Sequence, residues 1–207
     1  MRVSEYRYSR DLRSLALGHR LIRHEVRTRW ICAMTGLTDE RVRNLLHSYG
    51  VTALPRHRGA APTSCAVFFR LALHPEASAL AALARMWKLV PASPVRNARK
   101  VLPGLDWGES LCEAFEFFRA VVPRGAITGD QFILLTLALA EGKLAVAHCA
   151  QCQAAILIDP LEVQLLRCRM CAQPASRGPR RRNPKASETS EPLLGGDPGT
   201  GDQQSLF

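Results

Sequence analysis

A chain of 207 residues, 47% apolar and 22% charged, is long enough for one well-filled core and a small appended module, because single domains usually hold roughly 100–200 residues. Its formal net charge of +10 points to an acidic partner. No apolar run approaches the roughly 20 residues that a membrane-spanning helix needs, since the longest candidate, 132–140, is ended by Glu141, Gly142 and Lys143.

In chain order, residues 9–34 read as helical, with Leu12, Leu15, Ala16, Ile22, Val26, Trp30 and Ala33 recurring at three- and four-residue spacing. ThrGlyLeuThr at 35–38 breaks this pattern. A second helix is predicted from Asp39, where Thr38 can cap the free amides and Asp39 and Glu40 suit the positive helix start. Its inner face is Val42, Leu45, Leu46 and Tyr49, and Gly50 can end it.

Residues 54–62, LeuProArgHisArgGlyAlaAlaPro, form a linker by composition. Three further helices are predicted at 65–90, 108–121 and 129–145. Phe68, Phe69, Leu73, Leu80, Leu83, Trp87, Leu111, Phe115, Phe118, Phe132, Leu135 and Leu139 are the candidate core. From Pro174 the chain turns to Pro, Ser, Gly, Arg and Asp, a composition that buries too little apolar surface to offset ordering, so 174–207 is expected to be a disordered tail, basic and then acidic. The fold class is therefore mainly α: N-terminal helices at 1–60, a helical core and partner-binding region at 61–145, and a small four-cysteine module at 146–173.

Charge is unevenly spread along this order. Residues 1–60 carry twelve Arg against five acids, 61–166 carry nine basic and nine acidic groups, 167–185 carry seven basic groups and no acid, and 186–207 carry four acids alone. Two basic blocks are the footprint of a polyanion binder, because each phosphate neutralised releases condensed counterions; a merely solvated basic surface is the competing reading.

Four of the seven cysteines form two pairs, Cys149-x-x-Cys152 and Cys168-x-x-Cys171. The spacing is that of four-thiolate zinc sites, in which each two-residue gap lets one turn aim two sulfurs at an ion about 2.3 Å away. Four thiolates leave no open coordination position, so one structural zinc ion per chain is expected. A redox dithiol, an iron–sulfur cluster and incidental cysteines compete with it. The excursion AlaAlaIleLeuIleAspPro with ValGlnLeuLeuArg reads as two short strands, or a strand and a helix, too small to stand by apolar burial alone. Arg167 and Arg169 can offset the excess negative charge, His148 is a neighbour rather than a ligand, and Cys32, Cys65 and Cys112 read as small core residues.

Residues 27–49 have the form of a helix-turn-helix, the unit that presents its second helix to the major groove of duplex DNA. Its outward face would hold Asp39, Glu40, Arg43, Asn44 and His47. Arg43 and Asn44 suit guanine and adenine edges, while Arg27, Arg29 and Arg41 suit phosphates, as do Arg180, Arg181 and Arg182 beyond the cysteines. The alternative is a solvated helix with an Asp39–Arg43 pair at i, i+4.

Together, ThrGlyLeuThrAspGluArgValArgAsnLeu, AlaArgMetTrpLysLeu, GluGlyLysLeu before the first cysteine pair, and the cysteine quartet followed by ArgGlyProArgArgArg resemble the family of the C subunit (FlhC) of the bacterial flagellar master transcriptional activator. The resemblance covers about 10–182. It implies a mostly helical protein whose zinc ligands are Cys149, Cys152, Cys168 and Cys171. It also implies a hetero-oligomer with a D-type subunit that binds double-stranded DNA and activates flagellar class-two promoters with RNA polymerase. The arginine-rich start, the 54–62 linker and the Gly/Asp tail depart from the better-known members and leave the target promoters and the partner open. No catalytic constellation and no phosphate-cradling glycine loop is present, so no enzymatic activity is expected. The polar opening MRVSEYRYSRDLRS lacks a secretory signal, and a cytoplasmic location is expected. A zinc-ribbon interaction module that binds protein or RNA without reading DNA sequence is the alternative function.

Overall fold

The computed structural model describes residues 5–48, 63–162 and 166–172. The fold is mainly α. In chain order come α1 (Glu5–Arg23), α2 (Thr28–Thr35), α3 (Asp39–Ser48), a 3-10 turn (Cys65–Phe69), α4 (His74–Met86), α5 (Ala98–Val101), α6 (Leu105–Val121), α7 (Gly129–Ala140), the strands β1 (Ala145–His148) and β2 (Ala155–Ile158), and α8 (Arg169–Ala172). The linker at 54–62, Tyr49, Gly50 and the tail with Arg180–Arg182 lie outside the described residues.

The most enclosed element is α7, whose residues from Phe132 to Ala140 are all buried. A helix apolar on every side must be surrounded by others, and α4, α5, α6 and the 3-10 turn pack around it. Its start is fixed by a reciprocal cap: the Gln131 amide donates to Thr128 Oγ1 at 3.3 Å, and the Thr128 amide donates to Gln131 Oε1 at 2.9 Å. Its end comes five residues earlier than the predicted 145, because Gly142 adopts a left-handed φ of 72° and turns the chain into β1. All twelve expected core residues lie in or against one continuous apolar cluster, with Phe69, Leu73, Leu83 and Trp87 half-buried at its margin.

The single helix expected over 9–34 is two. It breaks at His24–Arg27, where Glu25 has φ 57° and the Arg27 amide donates to the buried Asp130 carboxylate at 3.0 Å. A contact 103 residues away leaves no trace in local periodicity. The buried stripe of α1 also differs from expectation. Ser14, Leu17, Gly18, Leu21 and Ile22 face inward, whereas Leu12 and Ala16 are exposed. Helix α6 approaches this face closely and needs a glycine to do so: a Cβ on Gly108 would stand 2.7 Å from Leu17 Cδ2 and 3.2 Å from Met34 Cβ.

Ion pairs line this α1–α6 contact. Arg13 Nη2 meets Asp106 at 2.6 Å and Glu109 at 2.5 Å, and Arg20 Nη2 meets Glu116 at 2.8 Å. The Arg20 guanidinium, with His24 as a second donor, holds the Glu116 carboxyl below its ordinary value.

The predicted helix 65–90 is a 3-10 turn followed by α4, which starts where Pro75 fits the first helical turn. Against α4 lies an antiparallel hairpin in which Val146 pairs with Leu157 and His148 with Ala155. Strand β2 would expose an unpaired edge, but α4 covers it: the Leu157 amide donates to Ser78 Oγ at 3.0 Å, and His74 Nε2 donates to the Leu157 carbonyl at 2.9 Å. Ser78→Ala is expected to leave the buried Leu157 amide without an acceptor and to cost about 1–3 kcal/mol. Denaturant titration with amide exchange at Leu157 checks this, and an unchanged midpoint and protection would show that the bond does not hold the hairpin.

Candidate metal centre and nucleic-acid interface

The hairpin positions the first cysteine pair. Cys149 follows β1 directly, its amide donating to the Ala154 carbonyl and its carbonyl accepting from Gln153, both at 2.9 Å. The turn closes through Gln153 at φ 61° and leads into β2. The second pair returns from 166 to meet it: the Ala150 amide donates to the Leu166 carbonyl at 2.8 Å, and the Cys168 amide donates to Cys149 Sγ at 3.2 Å. Cys168 precedes the single turn α8, which carries Cys171. Arg169 donates to the Leu71 carbonyl, tying this second pair to the loop before α4.

All four sulfurs lie within 4.8 Å of one another, and Cys152 and Cys168 Sγ are 3.5 Å apart. A tetrahedral ion with bonds of about 2.3 Å sets its ligands roughly 3.8 Å apart, so the quartet fits a metal ion with a contraction of at most about 1 Å. Cys149 is fully buried, Cys168 and Cys171 are half-buried and Cys152 is exposed.

The local field already favours thiolate on one side of this site. Amides of Cys168, Cys152 and Gln151 lower the Cys149 thiol to about 6, and the Cys171 amide lowers Cys168. On the other side, Cys152 and Cys168 push Cys171 up to about 12, and Cys168 raises Cys152 against the pull of the Ala154 amide. A bound cation removes this competition, because coordination deprotonates thiols outright. His148 ends β1 exposed and outside the ligand group. Of the other cysteines, Cys112 is buried and its thiol is pushed up to about 12 by burial, while Cys32 and Cys65 are half-buried against the core.

The N-terminal helices form the second candidate site. Helix α2 ends at Gly36, whose φ of 71° supplies the sharp turn, and Thr38 Oγ1 accepts from the Arg41 amide at 3.3 Å to start α3. Val42 is buried and Leu45 and Leu46 are half-buried, so α3 presents Asp39, Glu40, Arg41, Arg43, Asn44 and His47 to solvent. Arg43 stands 3.6 Å from Asp39, as the alternative reading expects, with both side chains more than 60% exposed. Arg29 is exposed, its guanidinium 4.9 Å from the Trp30 ring centre. Arg27 is placed differently from the other candidates: its Nε meets the buried Asp130 carboxylate at 2.7 Å.

Sequence reasoning missed the ring of contacts that seats the metal module, above all Ser78 and His74. Neither carries a recognisable motif; both act on the hairpin from another element. No helix among the described residues is long and apolar enough to cross a membrane. No protein-family model matches the chain, and no curated protein matches it significantly.

Proposed function

We propose that this chain is a DNA-binding transcriptional activator subunit of the FlhC type, with one structural zinc ion held by Cys149, Cys152, Cys168 and Cys171. The observation that carries the reading is the four-cysteine cluster seated on a helical body whose α3 offers Arg41, Arg43, Asn44 and His47 to solvent. In this reading the zinc fastens Arg167 and Arg169, the first cations of the 167–185 basic block, and that block, which includes Arg180, Arg181 and Arg182, grips phosphates while α3 reads base edges. It acts in the cytoplasm, without catalysis, in a hetero-oligomer with a D-type subunit that delivers RNA polymerase to flagellar class-two promoters.

Arg43→Ala with Asn44→Ala is expected to cost about 1–3 kcal/mol of preference for the operator over unrelated duplex, while non-specific binding persists. Mobility-shift titrations of the zinc-loaded chain with its co-purified partner, across a salt series, check this. Binding that fails to weaken as salt rises would overturn the reading. A second reading, a zinc-ribbon module that binds protein, draws on Leu71, Leu161 and Met170, which are 71%, 92% and 79% exposed around the module. It predicts that the α3 substitutions leave operator preference unmoved.

A further inference from the structure

The chain's middle is neutral by sum but not in space. Between Glu76 and Asp106 stand Arg85, Lys88, Arg96, Arg99 and Lys100 and no acid, and all five are exposed. The next four charges, Asp106, Glu109, Glu113 and Glu116, are acids on α6, and three of them are already engaged by Arg13, Arg20 and His24. Three of the nine carboxylates that balance the middle on paper are thus turned toward Arg13, Arg20 and His24. Among the described residues no carboxylate pairs with any of the five cations.

The backbone that carries them is held at several points. Leu89 and Ala98 are buried, the Leu89 carbonyl accepts from Trp107 Nε1 at 3.0 Å, and the Val95 amide donates to the Ala140 carbonyl at 2.8 Å. Lys88 follows α4 in the left-handed region, φ 54°, where the Leu89 amide closes back on the Ala84 carbonyl at 2.9 Å. Glycine is the residue this turn favours, so the chain keeps a cation there against a backbone preference.

From this we infer that the connector 87–104 is a further phosphate-contacting surface, with Lys88, Arg96, Arg99 and Lys100 binding the sugar-phosphate backbone of duplex DNA. The inference rests on the DNA-binding reading above and adds a contact surface in a region whose formal charge sums to zero. A pinned backbone presenting unpaired cations loses little order on binding. Such contacts add affinity without sequence preference.

The test uses the full zinc-loaded chain and a labelled random-sequence duplex about three helical turns long, with affinity measured by anisotropy across salt. Combining Lys88→Gly, Arg96→Gln, Arg99→Gln and Lys100→Gln, all exposed positions, should leave the thermal transition in place, since glycine suits the left-handed turn. The slope of log affinity against log salt is expected to become shallower by about 3–4, and low-salt affinity to fall roughly ten-fold or more. The charge-keeping pair Arg96→Lys and Arg99→Lys should retain the wild-type slope. A four-site variant with an unchanged slope overturns this surface and leaves the DNA reading standing, as does a charge-keeping pair that loses as much as the four-site variant. A wild-type chain with no salt-dependent duplex binding overturns both.

Discussion

Replacing Cys149 with serine is expected to abolish metal retention and release residues 166–172 while leaving the β1–β2 hairpin on α4. Two sets of contacts meet in the module. On the proposed reading the quartet depends on the ion, because four thiolates within 4.8 Å of one another repel unless a cation sits between them, and zinc would contribute on the order of 10 kcal/mol to so small a site. The hairpin depends on the core: Ile156 and Leu157 are buried, and Leu157 is bonded through both its amide and its carbonyl to α4. Loss of a ligand should therefore raise amide exchange sharply at Ala150, Cys168 and Ala172, whose acceptors lie within the metal module, and spare Leu157. Chelation of the wild-type chain should give the same pattern, with zinc falling from one per chain to none. Equal loss of protection at Leu157 would show that the ion holds the hairpin too; retained protection at Cys168 with the metal gone would remove the structural role of the site.

The same division explains what could be read from the sequence. The quartet is legible because its requirement is local: two turns, each aiming two sulfurs, and a chain long enough to return. Helix α7 is legible because a run from Phe132 to Ala140 with a Thr128-x-x-Gln131 start names its own beginning and its burial. The break at Glu25 is not legible, since what bends the chain there is Asp130, an acid on another helix. Nor is the inward face of α1, where Ser14 and Gly18 lie buried while the expected Leu12 and Ala16 are exposed; a Cβ on Gly18 would stand 3.2 Å from Leu37 Cδ1, a neighbour that only the α2–α3 turn brings there. Summed charge misleads for a related reason. Arg13, Arg20 and Arg27 count toward a basic N-terminal block yet face carboxylates on α6 and α7, so folding moves available positive charge toward α3 and the 87–104 connector.

Asp130→Ala is expected to lower stability by about 2–4 kcal/mol, which for a chain of this size is a fall of roughly 5–15 °C in the thermal transition. Asp130 is 4% exposed and accepts both from the Arg27 amide at 3.0 Å and from its Nε at 2.7 Å. Truncation removes the carboxylate to which both the Arg27 amide and its largely enclosed guanidinium donate, and either loss alone is worth more than an exposed ion pair. No larger residue can slide in to compensate at the helix start, where a Cβ on Gly129 would stand 2.8 Å from the His24 carbonyl. The reciprocal change separates two roles for Arg27. As a phosphate contact, Arg27→Gln would make the salt dependence of duplex binding shallower by about 1 with stability kept. As the partner of Asp130, it should instead lower the thermal transition, because a buried carboxylate loses its cation and keeps only the backbone amide bond, while the salt slope stays where it was. Paired thermal melts and salt titrations on Arg27→Gln decide between them, and the buried geometry of Asp130 favours the second.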